Sequence, residues 1–162
     1  MRLDDIRFLF GYDRWATRRL LAVIDGVPEE VWGATGVVGD RGLGAILVHQ
    51  LGAHQRWRLG LGGDDEAAGR ARPEREALPA PDDLARAWAA EWDALEAWLD
   101  TLDDAWLEQR DENVPYWQML VHLANHGTQH RAEAASLLTA VGRSPGDLDM
   151  IFYAGEIARE GG

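Results

Sequence analysis

The sequence predicts an all-α fold, a four-helix bundle with a packed C-terminal segment, on three observations. Four long segments place apolar residues at alternating steps of three and four, which is typical of a helix that packs along one side. No segment shows the alternation of apolar and polar residues that indicates a half-buried strand. The chain has 162 residues, and neither part on either side of residues 62–82 would hold a good core alone. We therefore expect one domain over residues 1–162.

The first two helices are predicted near residues 2–25 and 43–61. The first should end near Gly26, with Pro28 just beyond it. Residues 28–42 are rich in glycine and turn residues, which predicts a loop. The apolar side of the second helix also carries two histidines, and its members are Leu43, Ile46, Leu47, His49, Leu51, Ala53, His54, Trp57 and Leu61.

The third helix is predicted near residues 83–107, with Asp82 or Asp83 as its N-terminal cap. Residues 62–82 are rich in glycine, proline and charge, so we expect a long surface connection with one short helical turn. Residues 108–115 should connect to the fourth helix. The tryptophans of the third helix recur at helical spacing, which favours core packing over a ligand-stacking surface; they are Trp88, Trp92 and Trp98.

The fourth helix is predicted near residues 116–141, because its apolar seam is the longest in the chain and no proline interrupts it. The C-terminal segment, residues 142–162, contains a cluster of large apolar side chains that is unusual for a free tail. We therefore expect this segment to pack on the bundle through Leu148, Met150, Ile151, Phe152 and Tyr153.

The charge of the chain limits its partners. The formal net charge is -12, and no basic stripe offsets it, so we expect neither nucleic acid nor an anionic membrane face as a partner. The acidic residues between 64 and 112 predict a solvated face, with a metal or cationic-ligand surface as the alternative. No cysteine is present to form disulfides or to supply thiolate ligands. No long apolar run or leader pattern is evident, so a cytoplasmic protein is expected.

Three of the five histidines lie on the fourth helix at successive four-residue steps: His122, His126 and His130. Each step turns about 40° around the helix, so all three project from one side. Two imidazoles four residues apart can bind one divalent ion, although this segment lacks the glutamate of the HExxH motif. The spacing leaves open a metal site, a histidine-rich core and a pH-sensitive surface.

A third ligand would have to come from the second helix, which offers His49 and His54. These residues point about 140° apart, so one ion is not expected to bind both. The apolar face of the helix centres near Gln50 and His54, so helical position alone favours His54.

Several segments of the chain resemble DinB-type (DNA-damage-inducible) proteins, which are related to the YfiT-like metal-dependent hydrolases. The fourth-helix sequence HLANHGTQHRAEA at residues 122–134 resembles the signature of the last bundle helix of that family. Three further segments are similar to the first helix, the second helix and the closing segment of the family, in the same order: GYDRWATRRLL at 11–21, LGAILVHQLGAHQRW at 43–57 and PGDLDMIFY at 145–153.

The resemblance implies a four-helix bundle that holds one divalent metal ion through His49, His126 and His130. It places His49 ahead of His54, and it does not count His122 as a ligand. Nitrogen ligands suit Zn, Ni, Fe or Co without choosing among them. We expect the affinity to fall below about pH 6.5, as protons compete for the rings.

The resemblance also implies a range of functions. Some members of the wider superfamily are metal-dependent enzymes, among them thiol (S-) transferases that use small bacterial thiols. The expected function is therefore a metal-dependent transferase or a hydrolase-like enzyme of stress or detoxification, with a small-molecule thiol or another small substrate. The alternative is a non-catalytic bundle that binds metal or a small ligand in a stress response.

A homodimer is expected from the resemblance and from the eight tryptophans, some of which would remain exposed on one protomer.

Overall fold

The computed structural model describes residues 1–33, 41–74, 77–78 and 80–160, and most of these residues are helical. Residues 34–40 of the expected first loop lie outside this range. The elements are α1 (Leu3–Leu21), α2 (Glu29–Trp32), α3 (Leu43–Leu61), α4 (Asp65–Arg70), α5 (Pro81–Leu99), α6 (Asp104–Leu107), β1 (Arg110–Asp111), β2 (Val114–Pro115), α7 (Tyr116–Ala140) and α8 (Met150–Glu160). The expectation of a mainly helical protein is confirmed.

Four long helices form the body of the structure. Both α1 and α3 pack against α7 and against α5. The start of α3 lies beside the end of α7 and the end of α3 lies beside the start of α7, because His49 contacts His130 while Trp57 contacts His122. These two helices are therefore antiparallel neighbours. No helix of the described ranges is long and apolar enough to cross a membrane.

The core consists of two apolar clusters and several buried polar side chains. One cluster joins the end of α1, the start of α3, the start of α5 and the end of α7. The other joins the opposite ends of the same helices. Both clusters draw residues from each side of the connection at residues 62–82. Buried polar residues also occur on each of the four long helices: Asp13 and Thr17 on α1, Gln50 and His54 on α3, Glu91 on α5, and His130 and Arg131 on α7.

Two predicted helices end earlier than expected. The first stops at Leu21 rather than near residue 25, because the chain turns and directs Ile24, which is 1% exposed, into the core. The third stops at Leu99, and α6 follows as a separate turn of helix. The carboxylate of Asp103 accepts a hydrogen bond from the backbone N–H of Trp106 at 2.7 Å and so caps the start of α6.

The start of α5 also differs from the prediction in detail. The helix begins at Pro81, a residue favoured in a first turn because it needs no backbone donor there. Asp83 lies in that first turn and accepts a hydrogen bond from the backbone N–H of Ala80 at 3.3 Å. Asp83 therefore contributes to the cap from inside the helix, and neither aspartate occupies the cap position itself.

Three short elements occupy the connections. The expected helical turn between residues 62 and 82 is present as α4, capped by the side chain of Asp64. The first loop contains α2, which the glycine content concealed. The segment at residues 108–115 forms the two-stranded antiparallel sheet of β1 and β2, around Glu112 at φ 49°. These four residues are too few to show an alternating pattern, and so small a sheet is consistent with the all-α class.

The C-terminal segment packs on α1 through only one side of α8. Tyr153 lies against Phe8 and Trp15, with ring centroids 5.4 and 6.0 Å apart. The opposite side carries Ile151 and Phe152, which are 69% and 49% exposed. The prediction that the segment packs is thus correct for Tyr153 and wrong for these two residues, because a helix of this length can bury only one of its faces.

Candidate metal site

Three histidines from the antiparallel helices α3 and α7 meet between these two helices. His126 and His130 are one turn apart on α7, and His49 reaches them from the first half of α3. The ring centroids of His49 lie 5.3 Å from that of His126 and 4.9 Å from that of His130. One nitrogen from each ring falls within 4.8 Å of the others, so the three could hold one metal ion.

The spacing within the α7 pair suits shared coordination. The Nε2 atoms of His126 and His130 are 3.1 Å apart. Two nitrogens that each lie about 2.0–2.1 Å from one ion are about 2.8–3.4 Å apart for angles between 90° and 109°. The pair therefore matches the requirements of a small divalent ion with little adjustment. The His49 ring stands nearly perpendicular to that of His130, at 87°, and completes a three-sided nitrogen set.

The electrostatics of the site keep two of the rings neutral. Burial lowers the pKa of His49 to about 4, assisted by the positive charges of Arg41 and Arg56 and by His130. Burial also lowers the pKa of His126 to about 4, assisted by the neighbouring His130 and His49. A metal ligand must be a neutral imidazole. At these two residues protons begin to compete near pH 4, well below the value of about 6.5 expected from the sequence.

Glu133 fixes the orientation of His130. The Nδ1 atom of His130 lies 2.6 Å from the carboxylate of Glu133, which directs Nε2 toward His126. Burial favours a raised pKa for Glu133, but its hydrogen bonds with His130 and Gln129 outweigh burial and lower the pKa. A carboxylate on the second nitrogen is the usual means of fixing the tautomer of a ligating histidine. Glu133, Asn125 and Gln50 all lie near the histidines in the sequence, and only Glu133 makes such a contact among the described residues.

A buried ion pair lies directly behind the three histidines. Arg131, which follows His130, pairs with Asp13 of α1, and both side chains are at most 2% exposed. Arg131 also donates to Thr128 Oγ1 at 2.9 Å and stacks over Tyr12 with 5.2 Å to the ring centroid. The pair therefore joins α1 to the turn of α7 that presents the histidines.

His54 belongs to this ion pair rather than to the candidate metal site. Its Nε2 lies 3.4 Å from Asp13 Oδ2, at angles that do not make a hydrogen bond. The ring is 1% exposed and packs edge-on against Trp88, with centroids 5.1 Å apart. Burial lowers the pKa of His54. His54 is not among the three histidines that could hold one ion. Its central position on the apolar face of α3 places it in the core.

Gly127 allows the three helices to approach closely at this point. A Cβ atom at residue 127 would lie 2.7 Å from Arg131 Nη1 and 3.1 Å from Gln50 Nε2, and it would overlap the Asp13 carboxylate. A side chain is therefore excluded between the two histidines of α7 unless the buried polar groups move.

The comparison with protein families agrees with these features. The model of the DinB family matches residues 4–160. The chain belongs to the DinB family. Comparisons with curated proteins and with solved structures gave no significant match. The DinB signature in α7 contains the two clustered histidines and also Arg131, whose partner lies on another helix.

The sequence reasoning missed the residues of the buried ion pair. Asp13 falls between Phe10 and Thr17 at steps of three and four, on the apolar side of α1. An acidic residue on such a seam needs a buried partner, so its position was a usable signal. The partner was not identifiable, because Arg131 is 118 residues away along the chain.

Proposed function

We propose that this DinB-family protein binds one divalent metal ion, one of Zn, Ni, Fe or Co, through His49, His126 and His130. The meeting of these three rings, with two pKa values held near 4, is the observation that carries the proposal. All three ligands would be imidazole nitrogens. Nitrogen ligands suit each of these metals, so the site does not select one of them. With an ion bound, the three histidines would form a candidate centre for metal-dependent chemistry.

The reaction we propose is a metal-dependent thiol (S-) transfer, or a hydrolase-like step, in stress response or detoxification. A bound ion with three protein ligands would supply Lewis-acid polarisation or activation of a thiol or water. The residues of the chain contribute orientation: Glu133 holds the His130 ring, and the ion pair of Arg131 with Asp13 holds the turn of α7 between α1 and α3. His49 and His126 are each partly exposed, which leaves a route for a small substrate.

The second candidate function is non-catalytic binding of a metal or small ligand in a stress response. One observation favours it: among the described residues near the three histidines, Glu133 is the only carboxylate in contact with them, and it is already engaged by His130 and Gln129. No separate general base is therefore evident in that part of the chain.

We also propose that α1, α3, α5 and α7 constitute a single four-helix bundle domain over residues 1–162, and that the protein is a homodimer. The two core clusters, each built from all four of these helices, support the bundle. The exposed apolar side chains of α8 support an interface. The tryptophans give less support than expected, because none of the eight is among the exposed large apolar residues. Light scattering that reports a monomer at micromolar concentration would exclude the dimer.

Metal analysis joined to an activity assay tests the function. Purified protein should contain about one divalent ion per chain, and the His126→Ala and His130→Ala variants should lose most of it while circular dichroism remains helical. His122→Ala is the matched control, because His122 is exposed and lies one turn earlier on the same helix.

Thiol transfer should then be measured with glutathione, bacillithiol and mycothiol. Metal-dependent turnover with one of them supports the enzyme. Full metal occupancy without turnover on any of the three favours the non-catalytic function.

A further inference from the structure

A cavity lies beside α3 and α7, further than the three histidines toward the C-terminal end of α3. Its volume is about 340 Å³, within the range of small-molecule sites. Its walls come from the second half of α3, the start of α7, and the short elements α4 and β1, and its lining residues are Arg56, Trp57, Gly60, Leu61, Asp65, Asp111, Tyr116 and Met119.

Helix geometry places this cavity on the same faces of α3 and α7 as the histidines. Arg56 follows His49 by seven residues, and Met119 precedes His126 by seven residues. Seven residues are close to two full turns, so each pair lies on one line of its helix, about 10 Å apart. Because α3 and α7 are antiparallel, both lines run from the histidines into the cavity.

A continuous row of side chains connects the two places. Trp57, in the cavity wall, contacts the ring of His122 with centroids 5.7 Å apart, and His122 lies 6.0 Å from His126. Arg56 precedes Trp57 on α3, and its positive charge helps to lower the pKa of His49. A molecule that reaches the three histidines from this side would therefore pass along Arg56 and Trp57.

The charges along the cavity change sign with distance from the histidines. Arg56 lies nearest to them, and one of its guanidinium N–H groups donates to the carbonyl of Ala71 at 3.2 Å. Two exposed carboxylates also line the cavity: Asp65 on α4, which follows the end of α3, and Asp111 on β1, which precedes the start of α7. The aromatic rings of Trp57 and Tyr116 provide flat surfaces that suit an extended body and a neighbouring cation.

We propose that this cavity is a subsite for an elongated zwitterionic small molecule, with its anionic group on Arg56 and its cationic amine between Asp65 and Asp111. Binding in this cavity is a separate proposal, but the role of the molecule as a substrate of the histidine site rests on the proposed function. The subsite then selects substrates by the amine at the end remote from the reacting group.

Three probes of equal chain length test the charge preference without a thiol or a reaction: 6-aminohexanoate, hexanoate and hexylamine. Binding is measured by two-dimensional NMR of the backbone amides and of the Trp57 indole N–H. We expect saturable binding of 6-aminohexanoate with a dissociation constant on the order of 1–10 mM, as fits a ligand of nine non-hydrogen atoms. Hexanoate should bind about five- to thirtyfold more weakly, because two exposed charge pairs are lost.

Replacement of both carboxylates, Asp65→Asn with Asp111→Asn, should abolish the preference for 6-aminohexanoate over hexanoate. Asp93→Asn is the matched control, because Asp93 is an exposed aspartate on α5, away from the cavity. Absence of saturable binding, binding that shifts resonances elsewhere, or an unchanged preference in the double variant would each overturn the subsite.

The His126→Ala variant separates this proposal from the metal proposal. Probe binding within about twofold of the unaltered protein, together with loss of metal, supports the subsite and the metal site independently. If neither the unaltered protein nor the His126→Ala variant holds metal and both bind the probe, the proposed function is refuted and the subsite is supported. If the unaltered protein holds metal and does not bind the probe, the subsite is refuted and the metal site is supported.

Discussion

Removal of the Asp13 carboxylate should destabilise the protein far more than removal of any exposed acidic partner. Asp13 and Arg131 are 1% and 2% exposed, so Asp13→Ala leaves the guanidinium buried without its counter-charge. Breaking a buried pair in this way costs about 3–5 kcal/mol of unfolding free energy. The exposed pair of Arg7 with Asp100, with side chains 43% and 67% accessible, provides the comparison, and Asp100→Ala should cost at most about 1 kcal/mol.

Urea unfolding followed by circular dichroism measures both effects, in the presence of a chelator so that bound metal adds nothing. With a slope of about 2 kcal/mol/M, Asp13→Ala should lower the midpoint by about 1.5–2.5 M. The double variant Asp13→Ala with Arg131→Met should recover part of this loss, because it removes the unpaired charge as well. A loss for Asp13→Ala no larger than that of Asp100→Ala would refute the inference that the ion pair holds α1 to α7.

Three further results are expected. Gly127→Ala should lower the unfolding free energy by about 1–3 kcal/mol and weaken metal binding, because the added methyl group displaces buried polar groups behind the site; an unchanged melting temperature and metal affinity would contradict this. Glu133→Gln should weaken the metal affinity about 10- to 100-fold, as measured by competition with a chromogenic chelator, because it loosens the His130 ring; equal affinity would show that the carboxylate is dispensable. The metal-free protein should lose stability as the pH falls from about 6.5 to about 4, because the unfolded chain then binds protons that the folded His49 and His126 do not. Urea midpoints at several pH values should decline less steeply in His49→Ala than in the unaltered protein, and parallel curves would argue against the lowered pKa.

Local patterns in the sequence were sufficient to predict the long helices. The boundaries predicted for α3 and α7 agree with the structure to within one residue, because both helices carry apolar seams along their whole length. The ends of α1 and α5 were misjudged for a common reason. Apolar residues continue at helical spacing past Leu21 and Leu99, although the chain has already turned. Periodicity marks the residues that face the core, and it does not report whether the backbone between them remains helical.

The histidines show a different limit. The spacing of His126 and His130 was sufficient to pair them, since both lie on one helix. The choice between His49 and His54 required knowledge of how α3 is rotated against its neighbours. The centre of the apolar face of α3 points to the core, and His54 lies there. His49 lies on the flank of α3, and that flank faces His130 of α7. The resemblance to the family pointed to His49, which the structure brings beside His126 and His130, whereas helical position alone favoured His54, which lies in the core.

Metal binding by variants of the two α3 histidines tests the central claim most directly. The metal content per chain should be measured after loading and desalting of His49→Ala and His54→Gln, with circular dichroism confirming that each remains helical. We expect His49→Ala to lose most of the ion and His54→Gln to retain it. Loss of the ion from a folded His54→Gln variant together with full retention in His49→Ala would contradict the three-histidine site.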